Sequence, residues 1–182
     1  AMLETLAAVG AEDMVRARAA VQRIEESGLR RRVATLYRAI VSYADGEARA
    51  ARAELVGGFD DLRAHGDTVN AYLAGYYGAV ALAGELGDAQ ALAERTATIA
   101  HPAGLASLGA RADALRAILA AEALQAALAH RLAGDALASA HAGARTRATA
   151  HRARARAFSL EGDVARALEA LAAAREAVAG VA

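Results

Sequence analysis

Between Asp135 and Glu161 the chain carries no acidic residue, yet Arg145, Arg147, Arg152, Arg154 and Arg156 fall there together with His141 and His151. A guanidinium is a permanent cation with a planar fork of donors, suited to holding a carboxylate or phosphate through two parallel hydrogen bonds. At helical spacing Arg145, Arg152 and Arg156 share one side, while Arg147 and Arg154 share the other. Three readings fit this pattern. The arginines pair with acids on neighbouring helices and form a solvated face, or they hold a carboxylate or an acidic peptide. The third, phosphate or nucleic acid, is disfavoured because no aromatic residues interleave and the formal net charge is zero.

The other residues with chemical potential are fewer. Tyr72, Tyr76 and Tyr77 cluster on one segment, and Tyr37 and Tyr43 on another. Buried tyrosines that find hydrogen-bond partners between helices are one account, and an apolar, tyrosine-lined surface is the other. Asp61 and His65 stand four apart, a spacing that lets two metal ligands meet, but no third ligand is evident and no metal is expected. His101 precedes the single proline, Pro102, where an imidazole would interact with the last carbonyls of a helix. The "LRRRV" run at 29–33 follows Glu25 and Glu26 closely, so local charge pairing explains it more simply than contact with DNA. There is no phosphate loop, no nucleophile elbow and no cysteine, so neither an enzyme nor a cofactor is expected.

Alanine dominates the composition, with leucine next, two phenylalanines and no tryptophan. Alanine loses no side-chain entropy in a helix, so the backbone preference is α throughout. Each small side chain buries little apolar area, and stability must come from many close helix contacts. All 21 basic residues are arginine, a usage typical of GC-rich genomes. Ala1 ahead of Met2 reads as a cloning remnant. The start lacks the profile of a signal peptide, which makes the cytoplasm the expected compartment. The apolar run at 71–84 is shorter than the ~20 residues a membrane span needs and reads as a buried helix.

Small and polar residues punctuate the chain at 9–13, 26–29, 44–47, 64–67, 86–88, 101–104, 133–135 and 161–163. Glycine followed by aspartate suits a short link: the glycine ends one helix in the left-handed conformation, and the aspartate caps the next. About nine helices in antiparallel pairs are expected, and no run alternates as a strand would. In the helix at 29–44, Leu29, Val33, Leu36, Tyr37 and Ile40 form the dry face. In the last helix Val164, Leu168, Leu171 and Val178 do so. Across 105–133, Leu108, Leu115, Ile118 and Leu119 lie opposite Leu124, Leu128 and Leu132, so either the helix breaks near Ala120–Ala123 or one long helix is clasped from both sides. With no Gly or Pro between Gly109 and Gly134, the long helix is the preferred reading. Intervals between Gly10, Gly46, Gly87, Gly134 and Gly162 are irregular, within the range of degenerate helix-pair repeats.

Phe158, Gly162, Asp163 and Ala167, with Ala155 before them and Leu168, Leu171 and Ala174 after, resemble the tetratricopeptide repeat. Ala39 and Ala51 occupy the equivalent small positions around Gly46, whereas Val80 and Leu92 around Gly87, and Ala127 and Ser139 around Gly134, match less closely. The resemblance implies an all-α chain over 1–182, its antiparallel helix pairs stacked as a right-handed superhelix with a concave groove. It turns Arg152, Arg156, Tyr77 and Tyr43 toward that groove, with Arg145 on the side shared by the two arginines. The expected role is a scaffold in bacterial regulation or assembly, binding an acidic or amphipathic protein or peptide, with a homo-oligomer also allowed. The competing reading is a small-molecule-sensing helical domain of a transcriptional regulator.

Overall fold

The computed structural model describes residues 1–27 and 31–179. Within them the chain forms ten α-helices and no strand. They are α1 (Met2–Gly10), α2 (Met14–Glu26), α3 (Arg31–Ala44), α4 (Ala48–Ala64), α5 (Thr68–Ala81), α6 (Leu86–Ala100), α7 (Ala106–Glu122), α8 (Ala126–Ala138), α9 (Ala144–Leu160) and α10 (Val164–Ala179). No helix is long and apolar enough to cross a membrane among the described residues. Gly28 and Leu29, part of an expected turn and helix start, and Arg30 of the "LRRRV" run lie outside them.

Contacts divide the chain into two compact units, Ala1–Gly84 and Glu85–Ala182. In the first, each of α1 to α4 packs on its successor, and α1 also meets α3 as α3 meets α5. In the second, α6 through α10 pack in succession, and α7 also meets α9. Short turns return the chain for each successive contact, so local helix propensity and helix-pair packing act together.

The turn chemistry follows the expected logic where Gly-Asp or a related pair occurs. Gly162 adopts φ +78° after α9, and the Asp163 carboxylate accepts the Arg166 amide at 3.0 Å, capping α10. Asp13 and Asp67 cap α2 and α5 in the same way, accepting from Arg16 and Asn70. Two expected turns are instead helical. Residues 86–88 open α6, and 133–135 lie within α8, where Ala133 is fully buried. Gly134 is therefore an interior residue of α8, and Gly87 lies in the first turn of α6 just after the actual turn at 82–85.

The expected long helix over 105–133 is also corrected. The chain reverses after α7 through Ala123–Gln125, with Leu124 at φ +61°. A leucine in the left-handed region costs about 1–2 kcal/mol relative to glycine, a cost that surrounding packing must offset. The reversal explains the two opposed leucine stripes. Leu132 of α8 enters a core with Ala114 and Ala117 of α7 and Ala150 and Ala153 of α9, and Leu128, Leu137 and Ile118 pack around it.

Alanine governs how these helices meet. On α9, Ala150, Ala153 and Ala157 are fully buried, and on α10 the buried residues are Ala167, Ala170 and Ala174. The expected face of α10 is accordingly wrong: Val164 and Leu168 are 66% and 62% exposed, and Leu171 and Val178 are also exposed. The three alanines let the axes approach closely, and α10 contacts α9 through them, leaving the larger side chains outside. In α3 the expected face holds, with Val33, Leu36, Tyr37 and Ile40 all buried. Helix α4 carries Gly57 and Gly58 in its interior, each costing up to ~1 kcal/mol relative to alanine.

Candidate functional site

Helix α9 begins after Gly143 and runs for 17 residues without an acid. Its alanines are buried on two sides, which forces the intervening arginines outward at fixed helical positions. Arg145, Arg152 and Arg156 are exposed and share one stripe. Arg156 Nε lies 4.0 Å from Glu122 Oε1 of α7, so the stripe borders α7. Arg152 has no acidic partner among the described residues. Elsewhere most arginines follow the solvated-pair pattern: Arg38 with Glu25, Arg18 with Asp45, and Arg16 and Arg23 with Glu4. The carboxyl of Glu4 is held below its ordinary range chiefly by the Arg23 hydrogen bond.

The opposite stripe of α9 forms a second cationic feature. Arg154 and Arg166 sit over the Phe158 ring at 5.8 and 5.7 Å from its centroid. The ring's negative face attracts both cations. His130 of α8 lies 4.4 Å from the same ring and places Nε2 3.2 Å from Glu161 Oε2. Between α9 and α10 a cleft of about 380 Å3 is lined by His151, Arg154, Phe158, Arg166 and Glu169 with two alanines. Burial, reinforced by Arg154 and Arg147, lowers the His151 imidazole from its usual range and favours its neutral form. Arg147 is turned aside, its Nε donating to the Ala142 carbonyl at 3.0 Å. The spacing of Arg147 and Arg154 was legible, but Arg166 reaches this cleft only because α10 folds back.

Tyr43 and Tyr77 stand close together in the first unit. Tyr76 packs edge-on against Tyr77 at 5.5 Å and stacks on Tyr72 at 6.1 Å. Tyr43 is half-buried, and burial raises its phenol above the usual range, with Tyr76 and Tyr77 adding to the shift. Tyr37 is buried and pushed up to about 12 by burial, with Asp67 and Tyr77 as neighbours. The tyrosines thus gather on α3 and α5, while the arginine stripe belongs to the second unit.

The histidines have structural surroundings. His65 Nδ1 lies 2.7 Å from the Asp61 carbonyl oxygen, and the Asp61 carboxylate also pairs with Arg32. No group of three metal-ligating side chains occurs among the described residues. His101 departs from the expected interaction with terminal carbonyls: Nε2 stands 3.2 Å from Asp113 Oδ2, and the ring lies over Gly109. Asp113 also accepts from Arg116 at 2.9 Å, and Arg116 reaches Glu94, so an ion-paired chain ties α6 to α7. Nothing in local spacing announced this cluster, because its members meet only through the α6–α7 reversal. Compared with protein-family models, with curated proteins and with solved structures, the chain has no match.

Proposed function

We propose that the chain is a non-enzymatic, helical-repeat recognition module of the bacterial cytoplasm, binding an acidic or amphipathic protein segment in regulation or assembly. The observation that carries the reading is Arg152, an exposed guanidinium without an acidic partner among the described residues, set between Arg145 and Arg156 on an acid-free helix. A guanidinium with no internal acid is ready to pair with a carboxylate from outside. The α7–α9 packing beside the successive helix contacts supports a tetratricopeptide-like stacking in which this stripe faces a groove. Tyr43 and Tyr77 are proposed as further, apolar contacts on the first unit.

A fluorescein-labelled, glutamate- and leucine-rich helical peptide tests the reading by anisotropy at low and high salt. Binding that weakens with salt and falls at least about tenfold in the Arg152→Glu, Arg156→Glu double variant supports it. Equal affinity in the double variant removes the arginine stripe as the site. Solution scattering adds a test of form: an elongated, curved particle supports the scaffold, whereas a compact globule with a closed cavity favours small-molecule sensing.

A further inference from the structure

Helices α3 and α4 line an open cleft of about 570 Å3 on the first unit. Its floor includes Leu36, Leu62 and the glycine pair, and its charged wall consists of Arg31, Arg32, Glu54 and Asp61. This volume falls within the range of pockets that accept small organic ligands.

The glycines are unexplained by the packing of the chain itself. A Cβ added to Gly57 would meet nothing within 4 Å, and one added to Gly58 would reach only ordinary contact with Ala74. Both residues have negative or otherwise unexceptional φ, so no turn requires them. Alanine would therefore fit at either position and favour the helix. At Gly57 the missing side chain leaves open space against the α4 backbone where that residue lines the cleft, whereas the missing Cβ of Gly58 points toward Ala74 of α5.

The charges around that space are unequally satisfied. Arg32 and Asp61 pair with each other across the two helices. Arg31 and Glu54 have no ion-pair partner among the described residues. The wall therefore offers one free cation and one free anion beside an apolar floor. In the cleft of similar size between α2 and α3 both arginines are matched, through Arg18–Asp45 and Arg38–Glu25, so no guanidinium is left over there among the described residues.

We infer that the α3–α4 cleft binds a zwitterionic small molecule with an apolar body, its acid group on Arg31, its ammonium group on Glu54 and its body over Gly57 and Gly58. The site is separate from the arginine stripe of α9 and belongs to the other unit.

The dipeptide leucyl-phenylalanine serves as the probe, titrated into the isotope-labelled full chain and followed by two-dimensional NMR. The expected result is saturable shift changes confined to residues 31–36 and 53–62. The N-acetylated and C-amidated dipeptides, each lacking one charge, should bind at least about tenfold more weakly. Gly57→Leu should fill the space and reduce affinity by a similar factor while the spectrum stays that of a folded chain. Arg31→Gln should weaken the free dipeptide but leave the already weak amidated form unchanged. No saturable shift at millimolar dipeptide, shifts centred elsewhere, equal binding of the blocked forms, or unaltered affinity in Gly57→Leu would each overturn the assignment.

Discussion

The His101 imidazole lies directly over Gly109, close enough that a Cβ on that glycine would stand 3.0 Å from the ring, while Nε2 reaches Asp113 at 3.2 Å. Glycine at 109 is thus an allowance for a side chain from the preceding helix, made at the expense of local helix propensity.

A sign reversal follows from that contact. Gly109→Ala in the natural background should destabilise the fold by roughly 1 kcal/mol, because the imidazole must shift from Asp113. In a His101→Ala background the same substitution should stabilise by up to ~1 kcal/mol through helix propensity alone. Urea unfolding of the four proteins measures both effects. The same sign in both backgrounds would show that the imidazole is not what excludes the methyl group.

Leu124 holds a left-handed backbone at φ +61° with its side chain 69% exposed, so little packing is lost on its removal. Leu124→Gly is expected to raise stability by about 1 kcal/mol, as relief of strain outweighs the added freedom of the unfolded chain. A lower unfolding midpoint in that variant would contradict a left-handed leucine at the α7–α8 reversal.

Helix α10 should respond to substitution through its alanines. Leu168→Gln is expected to change stability by no more than about 0.5 kcal/mol, whereas Ala170→Leu should cost about 1–3 kcal/mol by forcing α10 away from α9. Chemical denaturation distinguishes the two faces. The opposite ranking would restore the leucine stripe as the buried side.

Tyr37 gives the fold an alkaline limit. Its folded phenol is pushed up to about 12 from an ordinary value of 10.0, so the neutral form is favoured in the native state. The associated stability is complete below pH ~10 and is lost as pH rises toward about 12, amounting to roughly 2–3 kcal/mol. Tyr37→Phe should flatten the decline of stability over this interval, read from urea midpoints between pH 9 and 12. His151 acts at the other end: its lowered imidazole favours stability above the usual histidine range, and that contribution drains as pH falls.

Composition and short-range chemistry were sufficient for much of this architecture. Alanine abundance dictates helices because the preference resides in each residue's own backbone and side-chain entropy. Gly162-Asp163 dictates a turn and cap because its partners lie within a few residues, and the face of α3 follows from large side chains at helical spacing. The arginine stripe of α9 is equally local in origin, since one helix suffices to align it. Tertiary structure decided the rest. It chose alanines over leucines as the contact face of α10, brought Arg166 to Phe158 and Arg154, and opened the cleft above Gly57 and Gly58. Hydrophobic size measures what a side chain gains on burial, but how closely two helix axes can approach depends on both surfaces at once, and that is settled only when they meet.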